Sequence, residues 1–212
     1  MQQAYHLSEH GYSYDEILRQ TEEAIKQEVD TAPGFNLEDL QDYSKMKSTL
    51  MMQLIPQKGN EENLMKLPHQ KIEDLALVYR FDAGGHSGMT ATMLITNDSL
   101  KEYGITEEQL HQDALENAPV SHPAILKSMR EMLAEMGMGG SMAPSPGEPV
   151  MMVATTEDSR MGASVIQYPG FLEEATEKMG GDFFILPSSI HEMLLLPDDG
   201  RTNYRELPEM PQ

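Results

Sequence analysis

Cysteine and tryptophan are both absent from the 212-residue chain. Without cysteine there can be no disulfide, thiolate zinc site, iron–sulfur cluster or cysteine nucleophile. Basic residues are scarce: 15 Lys and Arg stand against 35 Asp and Glu, a formal charge of −20. Proteins that grip nucleic acid use Lys and Arg to displace phosphate counterions, so no direct binding of DNA or RNA is expected. Docking on an anionic membrane surface is disfavoured for the same reason. Long apolar runs are also missing. The longest are Leu75 to Tyr79 and Val150 to Ala154, whereas a membrane span takes about 20 residues. The opening residues, MQQAYHLSEHGYSYDEI, carry no basic segment followed by an apolar one, and the expectation is a soluble, cytoplasmic protein. Cofactor motifs are lacking too. No G-x-x-x-x-G-K-[ST] occurs. Gly137-Met138-Gly139-Gly140 follows a helical pattern and has Met142 where a dinucleotide fingerprint needs glycine. Asp198-Asp199-Gly200 lacks the ligand spacing of a calcium loop. The seven histidines are scattered, with His111 and His122 on different expected helices. No metal and no cofactor are expected.

What the chain does have is a readable alternation of elements. Ser13 and Glu16 form an S-x-x-E capping box that opens a helix over 14–28. Its apolar stripe (Ile17, Ala24, Ile25, Val29) is thin, which makes it peripheral. Residues 30–44 read as a connection. Residues 45–55 alternate loosely and read as a strand, and 57–63 as a polar turn. In the stretch 75–81, Leu75, Leu77, Tyr79 and Phe81 share one face while Ala76 and Val78 take the other. The Gly-rich DAGGHSG then leads into a second strand over 89–95, giving a hairpin. Asn97 is expected to cap a short helix ending at Gly104, and Thr106 with Gln109 opens another to about Asn117. Pro123 starts a third, to about Met136, on which Met129, Met132 and Met136 share a face with Ile125 and Leu133. That Met-rich stripe is either a core face or an exposed contact surface.

Residues 137–149, GMGGSMAPSPGEP, form a Gly/Pro/Met-rich stretch read as a flexible surface loop inside one domain. Two short strands over 150–154 and 161–167 flank the turn TTEDSR. Pro169 opens a helix to about Met179, closed by Gly180-Gly181. Strands follow over 183–186 and 193–196, with Ser189 and Glu192 as the cap of a single helical turn between them. The fold class is therefore α+β, with short antiparallel strand pairs alternating with helices on a single mixed sheet. The organisation is a peripheral N-terminal helix and connection over 1–35, an α+β domain over 36–205 and a polar tail over 206–212.

Three segments carry a resemblance: DLALVYRF (Asp74 to Phe81), ITNDSLKEYGITEEQLHQDALENAP (Ile95 to Pro119) and YPGFLEEATEKMGGDFFILPSSIHEMLLLPDDG (Tyr168 to Gly200). Together they resemble a bacterial family of unknown function whose members are common in gut anaerobes. The resemblance covers about residues 40–205 and leaves out the first 35. It implies a shared fold and assigns no catalytic residue.

Candidate chemistry is thin. Gly85-His86-Ser87-Gly88 lacks the G-x-S-x-G spacing and the strand–turn–helix setting of a nucleophile elbow, and reads as a hairpin loop. His191-Glu192 begins a zincin motif, but Leu195 stands where the second histidine is needed. Ser188, Ser189, His191 and Glu192 remain the densest polar group between apolar strands. A serine beside a histidine can act as nucleophile and base, while capping explains Ser and Glu without chemistry. The favoured expectation is a bacterial accessory protein that works by contact with an unidentified protein partner, without catalysis. The alternatives are a hydrolase using Ser188 or Ser189 with His191, and an acidic mimic of nucleic acid that inhibits a basic partner.

Overall fold

A computed structural model describes residues 37–86, 89–135, 137, 150–198 and 200. The expected helix over 14–28, residues 138–149 of the Gly/Pro-rich stretch, and everything beyond 200 lie outside these described residues, as do Ser87, Gly88 and Met136.

The described chain opens with a 3-10 turn, Leu37–Gln41, and a short helix α1, Tyr43–Met46. Asp42 caps α1 by accepting from the Ser44 amide. Strand β1 follows (Leu50–Pro56), then α2 (Glu61–Leu64), β2 (His69–Ile72), the long β3 (Leu75–His86) and β4 (Met89–Leu94). Helices α3 (Asn97–Tyr103) and α4 (Glu107–Ser121) precede β5 (Ala124–Ser128) and α5 (Met129–Glu135). After β6 (Met152–Thr156) come a 3-10 segment (Gly162–Gln167), α6 (Phe171–Met179), β7 (Phe183–Ser189) and β8 (Glu192–Pro197).

The strands form two antiparallel four-stranded sheets, not the single mixed sheet expected. In the first, β3 takes β1 along one edge, from Leu50 opposite Phe81 to Pro56 opposite Leu75. Its other edge is shared. β2 covers Leu75 to Val78, and β4 covers Arg80 onward, with a register shift between Asp82 and Gly85. The later strands build a sheet of their own in the order β5-β6-β8-β7.

One core joins the sheets. Leu50, Met52, Leu54, Leu77, Tyr79 and Phe81 from the first meet Leu126, Met152, Ala154, Met193 and Leu195 from the second. A smaller cluster of Leu64, Leu67, Ala76 and Val78 lies on the far side of β3, as the alternation over 75–81 requires. Helix α4 packs on β1 and sends Leu110, Ala114 and Ala118 into the core at four-residue spacing. Three of the chain's few aromatic rings gather here: Phe81 lies 6.3 Å from Tyr43 and 6.0 Å from Tyr103, both edge-on.

Several expected boundaries give way to tertiary packing. The stretch 123–136 is a strand followed by a short helix, because Ile125 and Leu126 pair with Thr155 and Ala154. The Met-rich stripe is thereby split: Met129 and Met132 are half-buried on α5, with Ile125 on β5. Helix α4 runs through Pro119 to Ser121, since buried Ala118 offers its carbonyl to the His122 amide and holds the last turn. Residues 162–167 form a 3-10 segment instead of a strand. Five consecutive residues, Gly162 to Ile166, are buried where this segment packs on β1, β6 and β8. The polar turn at 57–63 contains the start of α2, and β2 is an unexpected strand. Thr96, not Asn97, caps α3 in a reciprocal box with Ser99. Residues 189–192 form no helical turn; they are the end of a hairpin.

The small residues on α4 set how close the helix sits to β1, so a larger side chain there overpacks the core. Ala114→Leu is expected to cost about 1–3 kcal/mol in urea unfolding. Glu116→Leu, on the exposed side of the same helix, should stay within about 0.5 kcal/mol.

Candidate functional site

The polar group singled out in the sequence sits at the β7–β8 hairpin. The Ser188 hydroxyl donates to Glu192 Oε1 (2.9 Å), and the Ser189 hydroxyl accepts from the His191 amide (3.0 Å). The His191 ring is turned elsewhere: its Nδ1 accepts from the Met161 amide (3.2 Å). His191 is exposed. The structure thus brings Ser188 to Glu192, and Ser189 to the backbone of the turn. It places neither hydroxyl on the imidazole. These residues close the turn of a hairpin, a local use of serine that needs no chemistry.

A second group, assembled from three distant parts of the chain, is partly buried: the His122 side chain is 6% exposed, those of Asp82 and Arg160 16% and 23%, and that of Asp158 35%. Asp82 comes from β3, just before its irregularity. His122 follows the last turn of α4, and Asp158 and Arg160 lie in the loop after β6. The Arg160 guanidinium grips Asp82 with two bonds, Nη2 to Oδ2 (2.5 Å) and Nη1 to Oδ1 (3.2 Å), and donates from Nε to Asp158 Oδ2 (2.8 Å). The His122 ring fills the remaining side, with Nδ1 at 3.0 Å from Asp158 Oδ2 and Nε2 at 3.7 Å from Asp82 Oδ2. The Thr156 hydroxyl donates to Asp158 Oδ1 (2.8 Å), and the Gly84 amide donates to Asp82 Oδ1 (2.9 Å). A two-toothed guanidinium–carboxylate pair has strong directional preference, so this group fixes the angle between three elements.

Burial alone would raise both carboxyl pKa values. At Asp82 it is outweighed by the Arg160 hydrogen bonds, the Gly84 amide and the charges of Arg160 and His122, which hold the group below the ordinary aspartate range. At Asp158 burial is outweighed by bonds from Thr156, the Arg160 amide and side chain, and His122, bringing it to about 2. Arg160 moves the other way, raised chiefly by its bond to Asp82. Two carboxylates and an imidazole could suggest a metal, but the guanidinium already supplies the positive charge to both carboxylates. Among the described residues, no three His, Asp or Glu are grouped to hold a metal ion.

The loop that carries Asp158 and Arg160 is held under strain. Ser159 (φ 56°) and Met161 (φ 51°) flank Arg160, and both adopt the left-handed conformation that non-glycine residues rarely take. Such strain persists only where the surroundings over-determine it, and here the ion pairs do so. The next residue, Gly162, lies so close to the Thr155 hydroxyl and the His191 carbonyl that any Cβ would collide with both. The loop then clasps the hairpin end. The Thr155 hydroxyl donates to the His191 carbonyl (2.7 Å), and the Met161 and Ala163 amides donate to His191 Nδ1 and the Ile190 carbonyl. The charged group is therefore a latch, and what it positions is the β7–β8 hairpin.

Two further polar contacts line α4. Asp113 accepts from the Tyr43 hydroxyl (2.8 Å) and lies 3.6 Å from Lys47 Nζ. The Tyr79 hydroxyl is 2.8 Å from His111 Nδ1, a ring whose pKa burial lowers. Sequence reasoning passed over all of these. Asp113 had a signal, being a charged residue on the buried stripe with Leu110 and Ala114. The latch had none, because Asp82 and Arg160 are separated by 78 residues.

Among proteins already grouped by sequence, a model of a family of unknown function (DUF5688) matches residues 1–212. That span takes in the first 35 residues, which the resemblance left out. No curated protein and no solved structure matches the chain. No helix among the described residues is long and apolar enough to cross a membrane.

Arg160→Ala should strand two partly buried carboxylates. Breaking a fully buried pair costs about 3–5 kcal/mol, and at this depth a loss of about 2–3 kcal/mol is expected, with faster amide exchange at Ile190 and His191. An acid titration makes an independent check. The Asp158 pKa is depressed on folding, so its stabilisation is complete above the unfolded value of about 4. It is lost as pH falls from there toward 2. Because the side chain is 35% exposed, screening leaves about 1 kcal/mol of this. Asp158→Asn should flatten the fall in stability between about pH 4 and pH 2; an unchanged slope would show that the latch does not hold Asp158 as drawn.

Proposed function

Starting from a chain that belongs to a family of unknown function (DUF5688), we propose that it is a bacterial cytoplasmic accessory protein that acts without catalysis by holding a protein partner on its β7–β8 hairpin. One observation carries this reading. The hairpin exposes two β-branched side chains, Ile185 (36%) on β7, the strand at the end of its sheet, and Ile190 (38%) in the turn that follows it. Apolar side chains scattered singly over a surface need no explanation. These two share one hairpin, and that hairpin is the element clasped by the loop that carries Asp158 and Arg160. The serines and histidines that might have served chemistry are engaged: Ser188 with Glu192, Ser189 with the turn backbone, and His122 between two carboxylates. A rigid presented surface also loses less freedom on binding than a mobile one.

The test is affinity capture from native cells with three forms of the chain. The same partner should be recovered with the unaltered chain and with Val120→Asp, which changes an exposed valine at the far end of α4 (80%). Recovery should fall at least about tenfold with the Ile185→Asp, Ile190→Asp double variant, the loss of roughly 1.4 kcal/mol or more. Equal recovery with the double variant, or no reproducible partner, overturns the proposal.

A further inference from the structure

Resting on the binding role argued above, we propose that the outer edge of β7 receives an extended apolar segment flanked by Lys or Arg, which joins the second sheet as an added strand. The backbone pattern identifies what is free. The Asp198 amide donates to the Asp182 carbonyl (2.8 Å) just before the first ladder pair, Phe183 opposite Pro197. Hydrogen-bonded and non-bonded pairs alternate along an antiparallel ladder, so Phe184 with Leu196 and Leu186 with Leu194 exchange bonds inside the hairpin. Phe183, Ile185 and Pro187 therefore direct their backbone groups outward. Proline has no N–H, which leaves the amides of Phe183 and Ile185 and the three carbonyls on the open edge. Among the described residues nothing pairs with them.

The opposite edge of the same sheet differs. On β5 the Leu126 carbonyl accepts from Lys178 Nζ (2.5 Å), so a side chain of α6 covers that edge. Among the described residues no lysine guards β7, although lysine is the usual deterrent on exposed edges. Instead, the backbones of Asp182 and Asp198 stand opposite each other at the start of the hairpin, with the Asp198 carboxylate accepting from the Gly200 amide (3.0 Å). Both are exposed, and among the described residues neither has a cation. Both leave negative charge at the mouth of the open edge, which an incoming Lys or Arg complements. The same carboxylates, on a chain of net charge −20, repel a second copy. The edge thus selects an extended partner with basic flanks, with Pro187 marking where the added strand stops.

The test uses the full chain, ¹⁵N-labelled, titrated with the capped peptide Lys-Lys-Val-Thr-Val-Thr-Val-Lys and with its Glu-for-Lys counterpart. The Phe183 and Ile185 amides should shift and slow their exchange with the basic peptide, and the acidic peptide should bind at least about tenfold more weakly. Added salt should weaken the basic complex. Ile185→Pro removes an outward amide and leaves the hairpin's own bonds in place, so it should weaken the basic peptide about tenfold while the other amides of the sheet keep their positions. Equal binding of both peptides, binding indifferent to Ile185→Pro, or no binding of the basic peptide overturns the proposal. If the partner captured through Ile185 and Ile190 is still held by the Ile185→Pro chain and is not displaced by the basic peptide, the edge proposal fails and the binding role stands. If that partner never depended on the hairpin, both fail together.

Discussion

Arg160 has to satisfy Asp82 and Asp158 at once, and the rest of the architecture is arranged around that requirement. Asp82 stands on the central strand of one sheet, and Asp158 follows the central β6 strand of the other. His122 closes the group from the end of α4, the helix packed on the first sheet. An ion pair taken out of water gives little net stability, because desolvation offsets attraction. Its directional demand is what matters here. A guanidinium clamped on one carboxylate by two bonds tolerates little rotation. Two sheets that share an apolar core could otherwise slide over one another at small cost, since apolar contact has no preferred direction.

The strain in the loop follows from the same requirement. Ser159 and Met161 would each relax into ordinary backbone conformations if nothing held them. The turn they make points the Arg160 side chain back toward β3 and leaves the Met161 and Ala163 amides facing the hairpin end. Gly162 is the one position in this stretch where the absence of a side chain is structural, because β6 and the His191 carbonyl already fill the space. Charge, strain and close approach are packed into a few consecutive residues, and their joint effect is to fix where the hairpin stands.

The sequence made the local elements legible and left the site hidden. Strand β3 announced itself by alternation, β4, β7 and β8 as short apolar runs between turn residues, and α3, α4 and α6 by capping oxygens and glycines. These signals act over a few residues, so one chain suffices to see them. The stretch at 162–167 misled because a fully buried apolar run has no period to distinguish strand from helix. Residues 123–136 misled in the opposite way: Ile125, Met129 and Met132 fall at helical spacing, yet pairing with β6 outweighs a weak helical preference. The latch was invisible for a different reason. Its members are ordinary surface-type residues by identity, and only the assembled fold brings Asp82 to Arg160. Ser188 and His191 drew attention because adjacency in sequence suggests adjacency in chemistry. A tight hairpin turn instead directs the Ser188 hydroxyl and the imidazole to different partners.

An open sheet edge is a hazard, and chains that keep one usually blunt it. Here the blunting is partial in an informative way. Pro187 ends the edge on one side, and the paired carboxylates Asp182 and Asp198 guard the other. Between them Phe183 to Leu186 carries no charge. Proline stops any strand, whatever its sequence. Carboxylates disfavour only acidic ones. On the proposed reading, a chain with 35 acidic and 15 basic residues would disfavour its own copies at this edge and favour a basic segment. On the proposed reading, the acidic excess, which in composition alone speaks only of solubility, gains a directional role through the two carboxylates at the mouth of the outer β7 edge.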